Sequence, residues 1–263
     1  MNAPVIALLL SAALPTLCPS QQASDPRDGR SVLERMHAAY AGKWYEKLAF
    51  VQRTTHPRPD GGRDTSTWYE TFKGADQMRI DFGAPTAGRG VIFTAESTFV
   101  FRDGQLSRAA AEGNPFLPLV MGVYLEPVDV AAHGATHHGF DLAKVHRSTW
   151  EGRPVYVVGA LADADTTSPQ FWVDERMLVV RIRVPANPGD PPLDIRLDKY
   201  MAVGGGWLAT RVAITRGGKP LQLEDYTEWS DRVAIADSLF SRKRWVTGGH
   251  WVGKPRTGWV KAR

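Results

Sequence analysis

Three histidines within six residues, His133, His137 and His138 in the run AHGATHHG, are the densest concentration of metal-ligating side chains in this sequence. Imidazoles bind zinc or copper, and Asp129 or Asp141 could complete a set of four if the segment folded back on itself. Ligands usually stand on rigid elements, however, and Gly134 and Gly139 loosen this stretch. We read it as a polar loop, and no metal or other cofactor is expected. The acidic pairs Asp163 and Asp165, and Glu224 and Asp225, lack an evident partner acid or base and read as loop and solvent-face residues. No serine occupies a G-x-S-x-G elbow. No phosphate-binding glycine loop and no dinucleotide fingerprint opens a helix. With no catalytic residue to nominate, an enzyme is not expected, and a metal-dependent enzyme built on the histidine loop is the minor alternative.

Cys18 is the only cysteine in the 263 residues. It follows the apolar stretch Val5 to Leu14, which is too short to span a bilayer and has the length of a secretory signal segment. Met1 to Pro4 lacks the usual basic residue, so an N-terminal strand or buried helical turn is the alternative. The polar run Ser20 to Arg30 resembles a mature N-terminus. The expectation is therefore a signal peptide over 1–20, a periplasmic location and a single domain over 21–263 with no disulfide. Lipid anchoring through Cys18 is the alternative, although Leu17 stands where a small residue is wanted.

The formal net charge is only +4, but it is unevenly placed. After Asp237 there is no acidic residue, while Arg242, Lys243, Arg244, Lys254, Arg256, Lys261 and Arg263 alternate with Trp245, Trp251 and Trp259. This tail, 241–263, reads either as a contact for an anionic membrane surface or as a solvated edge strand with a frayed terminus. Export and the confinement of the basic residues to the tail argue against nucleic acid.

The elements that must position any site follow from periodicity. Ser31 and Glu34 have capping-box spacing, and Val32, Leu33, Met36 and Tyr40 share a helical face up to Gly42. Period two then dominates. Leu48, Phe50 and Gln52 share a parity, as do Trp68, Glu70 and Phe72, and Met78, Ile80 and Phe82. Later runs include Leu178 to Ile182, Ile195 to Leu197, Trp207 to Ala213, and one opening with Leu221 and Leu223. Turn formers such as Asp60-Gly61-Gly62, Asp103-Gly104 and Gly204-Gly205-Gly206 separate them. About ten strands are expected in an antiparallel sheet with one wet and one covered face. So wide a sheet must close or be covered, and the N-terminal helix is the natural cover. Pro115 to Leu125, very apolar and without a clean period, reads as a core plug or as the lid of an apolar cavity. Pro185 to Pro192 reads as a long loop.

In this order of elements, several phrases carry a likeness. They are Trp68-Tyr69-Glu70-Thr71-Phe72-Lys73-Gly74 leading to Gln77-Met78-Arg79-Ile80-Asp81-Phe82, then Trp150-Glu151-Gly152-Arg153-Pro154-Val155-Tyr156, Phe171-Trp172-Val173-Asp174-Glu175 and Ile235-Ala236-Asp237-Ser238-Leu239-Phe240. Over residues 30–242 the chain resembles the periplasmic outer-membrane lipoprotein carrier and lipoprotein-sorting proteins (LolA/LolB-like). The resemblance implies an α+β, mainly antiparallel β fold: a strongly curved meander forming an unclosed half β-barrel, covered by an N-terminal helix and a short apolar lid. It implies a non-enzymatic carrier whose partner is a lipid or lipidated protein, with an envelope sensor or protein-interaction module as the alternative. Met36, Tyr40, Phe50, Trp68, Phe72, Phe82, Phe93, Phe99, Phe101, Phe116, Leu119 and Met121 are the residues nominated to line its cavity. One departure stands out: Gly74 occupies the place where the carrier has the arginine that latches its lid.

Overall fold

The computed structural model describes residues 25–184 and 190–262. The expected signal peptide and Cys18 lie outside the described residues, as does the greater part of the 185–192 loop.

The first element is the helix α1 (Gly29–Tyr40). Its cap sits one turn earlier than the spacing predicted. Asp28, not Ser31, is the N-cap, accepting from the Ser31 backbone N–H at 2.8 Å while the Ser31 hydroxyl accepts from the Asp28 N–H at 3.1 Å. Aspartate is as good a cap as serine, and the hydroxyl at the third helical position completes the box in place of a glutamate. Gly29, Val32, Leu33 and Met36 form the buried stripe.

Strands then run in two meanders. The first comprises β1 (Lys47–Pro57), β2 (Arg63–Lys73), β3 (Gln77–Phe82), β4 (Gly90–Phe93), β5 (Thr98–Arg102) and β6 (Gln105–Ala110). A helical crossover follows: a π-helical turn over Pro118–Gly122, α2 (Val123–Leu125) and α3 (Val128–His137). The second meander comprises β7 (Val145–Trp150), β8 (Arg153–Val158), β9 (Gln170–Asp174), β10 (Val179–Val184), β11 (Leu193–Val203), β12 (Gly206–Arg216) and β13 (Lys219–Ser230). Pairing of β1 with β13 joins the two into one antiparallel sheet whose edges, β6 and β7, remain unpaired with each other. A short β14 (Val260–Lys261) adds to the end of β13. The barrel is therefore unclosed.

Among the described residues there are fourteen strands rather than about ten. The shortfall came from strands such as β6, whose residues are nearly all exposed and so carry no apolar alternation. Hairpins form where the turn chemistry allows: Asp103 and Gly104 both have positive φ, 50° and 73°, which the tight primed turn of a two-residue hairpin requires.

The helices lie across the concave face. Leu117, Leu119, Met121, Val123 and Tyr124 are all buried, which explains why this stretch has no period. It is covered by sheet on one side and by α1 and α3 on the other. Segment 128–137 is helical, not the expected polar loop. Ala131, Ala132 and Ala135 face inward, and at Gly134 a Cβ would stand 2.9 Å from the Pro118 ring. Small residues here let α3 lie close against the plug.

The convex face of the first meander is not wet. Ala49, Val51, Ile92 and Phe101 on this face pack with Leu239, Phe240, Trp245 and Trp251 into a second core. The tail is thus packed over Trp245 to Trp251, and ends in the exposed edge strand β14. The Trp245 indole rests where a Cβ on Gly90 would stand only 2.6 Å from it, and donates to the Pro85 carbonyl at 3.1 Å. Trp251 donates to Thr71 at 2.8 Å. Beneath them Arg79 and Asp81, both fully buried, form a bidentate ion pair at 2.9 and 2.7 Å, and His250 meets Asp81 at 3.1 Å. Arg79 also donates to the carbonyls of Leu239 and Val246 and lies 3.5 Å from the Trp245 ring centroid.

Candidate functional site

Inside the curve of the sheet, under the plug, are two adjoining chambers. The smaller, about 60 Å³, is walled by aromatic side chains, including Trp44, Tyr45, Tyr124, Tyr200 and Trp207, with Leu119 and Met121 from the plug. The larger, about 120 Å³, lies between Met78 and Ile80 of β3, Ile182 of β10, Ile195 of β11 and Ile214 of β12. Phe72, Val120, Leu197, Val212 and Tyr226 border both and form a waist between them. An open groove of about 730 Å³ reaches the larger chamber at Asn114 and Phe116, and continues past Phe93, His137, His138 and Leu193.

The nominated residues divide by strand parity. Met36, Phe50, Phe72, Leu119 and Met121 are buried in the interior core, with Tyr40, Phe93 and Phe116 packed against it. Phe72, Phe116, Leu119 and Met121 border a chamber. Tyr40 closes the helix end, its hydroxyl donating to the Arg176 carbonyl at 2.8 Å. Trp68 and Phe82 pack against each other at a tilt of 51°, 4.5 Å between centroids, and border neither chamber. Phe99 and Phe101 are a correction. They pair with Ile92 and Gly90 and face the convex core under Trp245, on the far side of the sheet from the cavity. The parity of β5 relative to β4 is set by a tight connection whose register the sequence did not reveal.

The histidines do not converge. The rings of His133 and His137 are 6.5 Å apart and those of His137 and His138 5.4 Å. Asp129 is paired with Arg30 at 2.6 Å and Asp141 with Lys144 at 3.1 Å. Among the described residues no group of three potential ligands is placed to hold a metal.

The unexpected feature is acidic. Glu70 on β2 and Glu224 on β13 both border the larger chamber. Glu70 is 2 % exposed. Burial raises its pKa well above the usual carboxylate range, and the charges of Glu224 and Asp81 add to the effect. Glu224 accepts from Gln222 at 2.5 Å and from the Tyr226 hydroxyl at 3.4 Å. Burial outweighs those hydrogen bonds and a further one from Gln52, and lifts it to about 7. Gln52, fully buried on β1 between the two glutamate strands, donates to Thr54 at 2.8 Å and leaves its Oε1 without a partner. Glu224 was expected on the solvent face. In β13 it is Leu221 and Leu223 that turn away from the interior, while Gln222, Glu224 and Tyr226 turn inward, opposite Ile214, Val212 and Gln52. Glu70 had a visible signal, its shared parity with Trp68 and Phe72; Glu224 had none. Of the other acidic pair, Asp163 meets His146 at 2.9 Å and Asp165 accepts from the Ser168 hydroxyl at 2.6 Å, both in the β8–β9 connection.

No protein-family model matches the sequence, and no curated protein does. Solved structures do match. A DUF1329-family protein from Desulfovibrio piger superposes with a TM-score of 0.57 at 14% identity, over 81% of this chain and 95% of its own. A LolA-superfamily protein from Nitrosomonas europaea gives 0.52 at 11% identity, over 81% and 97%. The fold is LolA-like. A domain from Vibrio parahaemolyticus, described as an outer-membrane lipoprotein-sorting protein, gives 0.52 at 10% identity, over 81% and 96%. At these identities the LolA-like likeness is one of backbone, carried by the open antiparallel sheet and its helical cover.

Proposed function

We propose that this protein is a non-enzymatic envelope carrier that shields a lipid-like apolar ligand inside its half-barrel. The observation that carries the reading is the chambered apolar interior beneath a plug that is packed against, rather than woven into, the sheet. The Vibrio structure with the same fold is described as a lipoprotein-sorting protein, which supports a lipid or lipidated protein as the cargo. A periplasmic location after removal of residues 1–20 accords with that reading. The exposed Arg242, Lys243, Arg244 and Lys254 could bring the molecule to an anionic membrane, whereas the buried Trp245 and Trp251 could not insert there.

The chambers are closed down. At about 60 and 120 Å³ they fall short of the roughly 300 Å³ at which sites for drug-sized ligands begin. An acyl chain therefore enters only as the plug withdraws Leu119, Val120 and Met121. The energetics allow it. Re-exposing such a side chain costs about 1.5–3 kcal/mol. Transferring a chain of roughly 16 carbons from water gains about 0.8 kcal/mol per CH₂, around 13 kcal/mol in all.

The tight interior also gives the alternative its best support: a filled barrel serving as an envelope sensor or interaction module. That reading requires an exposed apolar patch. The exposed large apolar residues Leu106, Val130, Leu161, Met201 and Val260 instead belong to five different segments. Native mass spectrometry of the chain purified from a bacterial envelope, followed by lipid extraction, separates the two. Near-stoichiometric lipid is expected, and a clean apo mass with a partner protein retained would favour the sensor.

A further inference from the structure

An aliphatic chamber built only to receive a hydrocarbon chain has no use for two carboxyl groups. Each costs desolvation in proportion to its burial, and two in one enclosure repel when both are ionised. Glu70 is 2 % exposed, in a wall whose other polar side chains are Asn114, Glu224 and Tyr226. Gln52 stands on the strand between them, fully buried, with its Oε1 unmet. The enclosure thus presents two carboxyl groups and, among the residues that border it, no positive charge. The cations nearest Glu70 are spent elsewhere: Lys73 pairs with Asp237, and Arg79, on the opposite face of the sheet, pairs with Asp81.

We propose that the larger chamber receives the ammonium head of an amine-bearing amphiphile, with Glu70 and Glu224 as its acceptors. The proposal rests on the reading of the interior as an apolar-ligand site and specifies the head group that site prefers. A primary ammonium has three N–H donors and one positive charge, which suits a pair of carboxyls in an otherwise mainly apolar wall. The aromatic faces of Phe72 and Tyr226 at the waist suit a cation as well. The alkyl chain would continue between Val120, Leu197 and Val212 into the smaller chamber. An anionic head would meet two carboxyls, and a neutral alcohol would satisfy one acceptor at most.

The test compares three twelve-carbon probes that differ only in the head: dodecylammonium, 1-dodecanol and dodecanoate. Each is titrated calorimetrically at pH 7, below its micellar concentration or its solubility limit, into the purified chain and into the double variant Glu70→Gln, Glu224→Gln. Dodecylammonium is expected to bind about tenfold or more tighter than dodecanol, the scale of a charge-assisted hydrogen bond. The double variant should lose that preference and bind dodecanol as before, which also shows it to be folded. Glu70→Gln alone, which leaves the Gln222 and Tyr226 bonds to Glu224 in place, should reduce the preference. Equal binding of amine and alcohol, tightest binding of dodecanoate, or a preference that survives the double substitution would each overturn the proposal while leaving an apolar-ligand carrier intact. Failure of all three probes to bind would remove the carrier reading along with it.

Discussion

Glu70 and Glu224 stand opposite Ile80 and Val212 on the neighbouring strands, and the difference has a pH signature. Both carboxyls titrate higher in the folded chain than the usual 4.5, Glu224 near 7 and Glu70 well above the ordinary range. Between those limits the folded state holds more protons than the unfolded one, so stability falls as pH rises through the window. His138 works in the other direction: burial lowers its pKa, so its contribution is lost as pH falls below the unfolded value of 6.5. The two effects are separated by difference. The double variant Glu70→Gln, Glu224→Gln is predicted to melt higher than the wild type at pH 8, and the gap is predicted to shrink towards pH 5. Thermal melts followed by circular dichroism at the two pH values decide it. A second prediction concerns the opposite face. Asp81→Ala leaves the Arg79 guanidinium buried without its counter-charge and should cost about 3–5 kcal/mol in urea denaturation. A loss under 1 kcal/mol would mean that the pair is solvated in the native state.

At the scale of elements, the plug and the C-terminal segment make separate demands. Leu119 is fully buried in the plug and borders the smaller chamber. Leu119→Ala should therefore destabilise by about 2–5 kcal/mol, read from urea midpoints. Phe116 stands where the open groove meets the larger chamber. Its replacement by Ala should speed uptake of an apolar fluorescent probe in stopped flow, with less loss of stability than Leu119→Ala. Equal uptake rates would place the entrance elsewhere. Much of this level was legible. The apolar stripe of α1, the hairpin at Asp103-Gly104 and the anomaly of Pro115 to Leu125 are all local signals. What was hidden depended on neighbours. The histidine segment reads as a loop because glycine weakens helices, yet here Gly134 is what lets α3 meet Pro118. The inward turn of Glu224 and the outward turn of Phe99 and Phe101 follow from sheet register, and a one-residue change in parity exchanges the faces completely. The tail looked solvated because its lysines and arginines are; its tryptophans are not.

At the scale of the molecule, two meanders joined along β1 and β13 make a sheet that curves around a helical cover but leaves β6 and β7 apart. The order of elements could be followed along the sequence because period two and turn residues survive where identity to structures of like fold is only 10–14%. The size of the interior could not, since it is set by how far the plug packs into the curve rather than by any one segment. An open edge and a plug held by side-chain packing are the mechanical basis for opening, and the central claim is that an apolar chain then takes the plug's place. Methionine methyl groups report on this directly. Met78 borders the larger chamber and Met121 the smaller, while Met201 is exposed at 47 % on β11. In the ¹³C-methyl NMR spectrum, titration with an alkyl-chain ligand should shift Met78 and Met121 saturably and give intermolecular Overhauser contacts to both, with Met201 unmoved. Shifts confined to Met201, or no saturable shift at Met78 and Met121, would contradict the account.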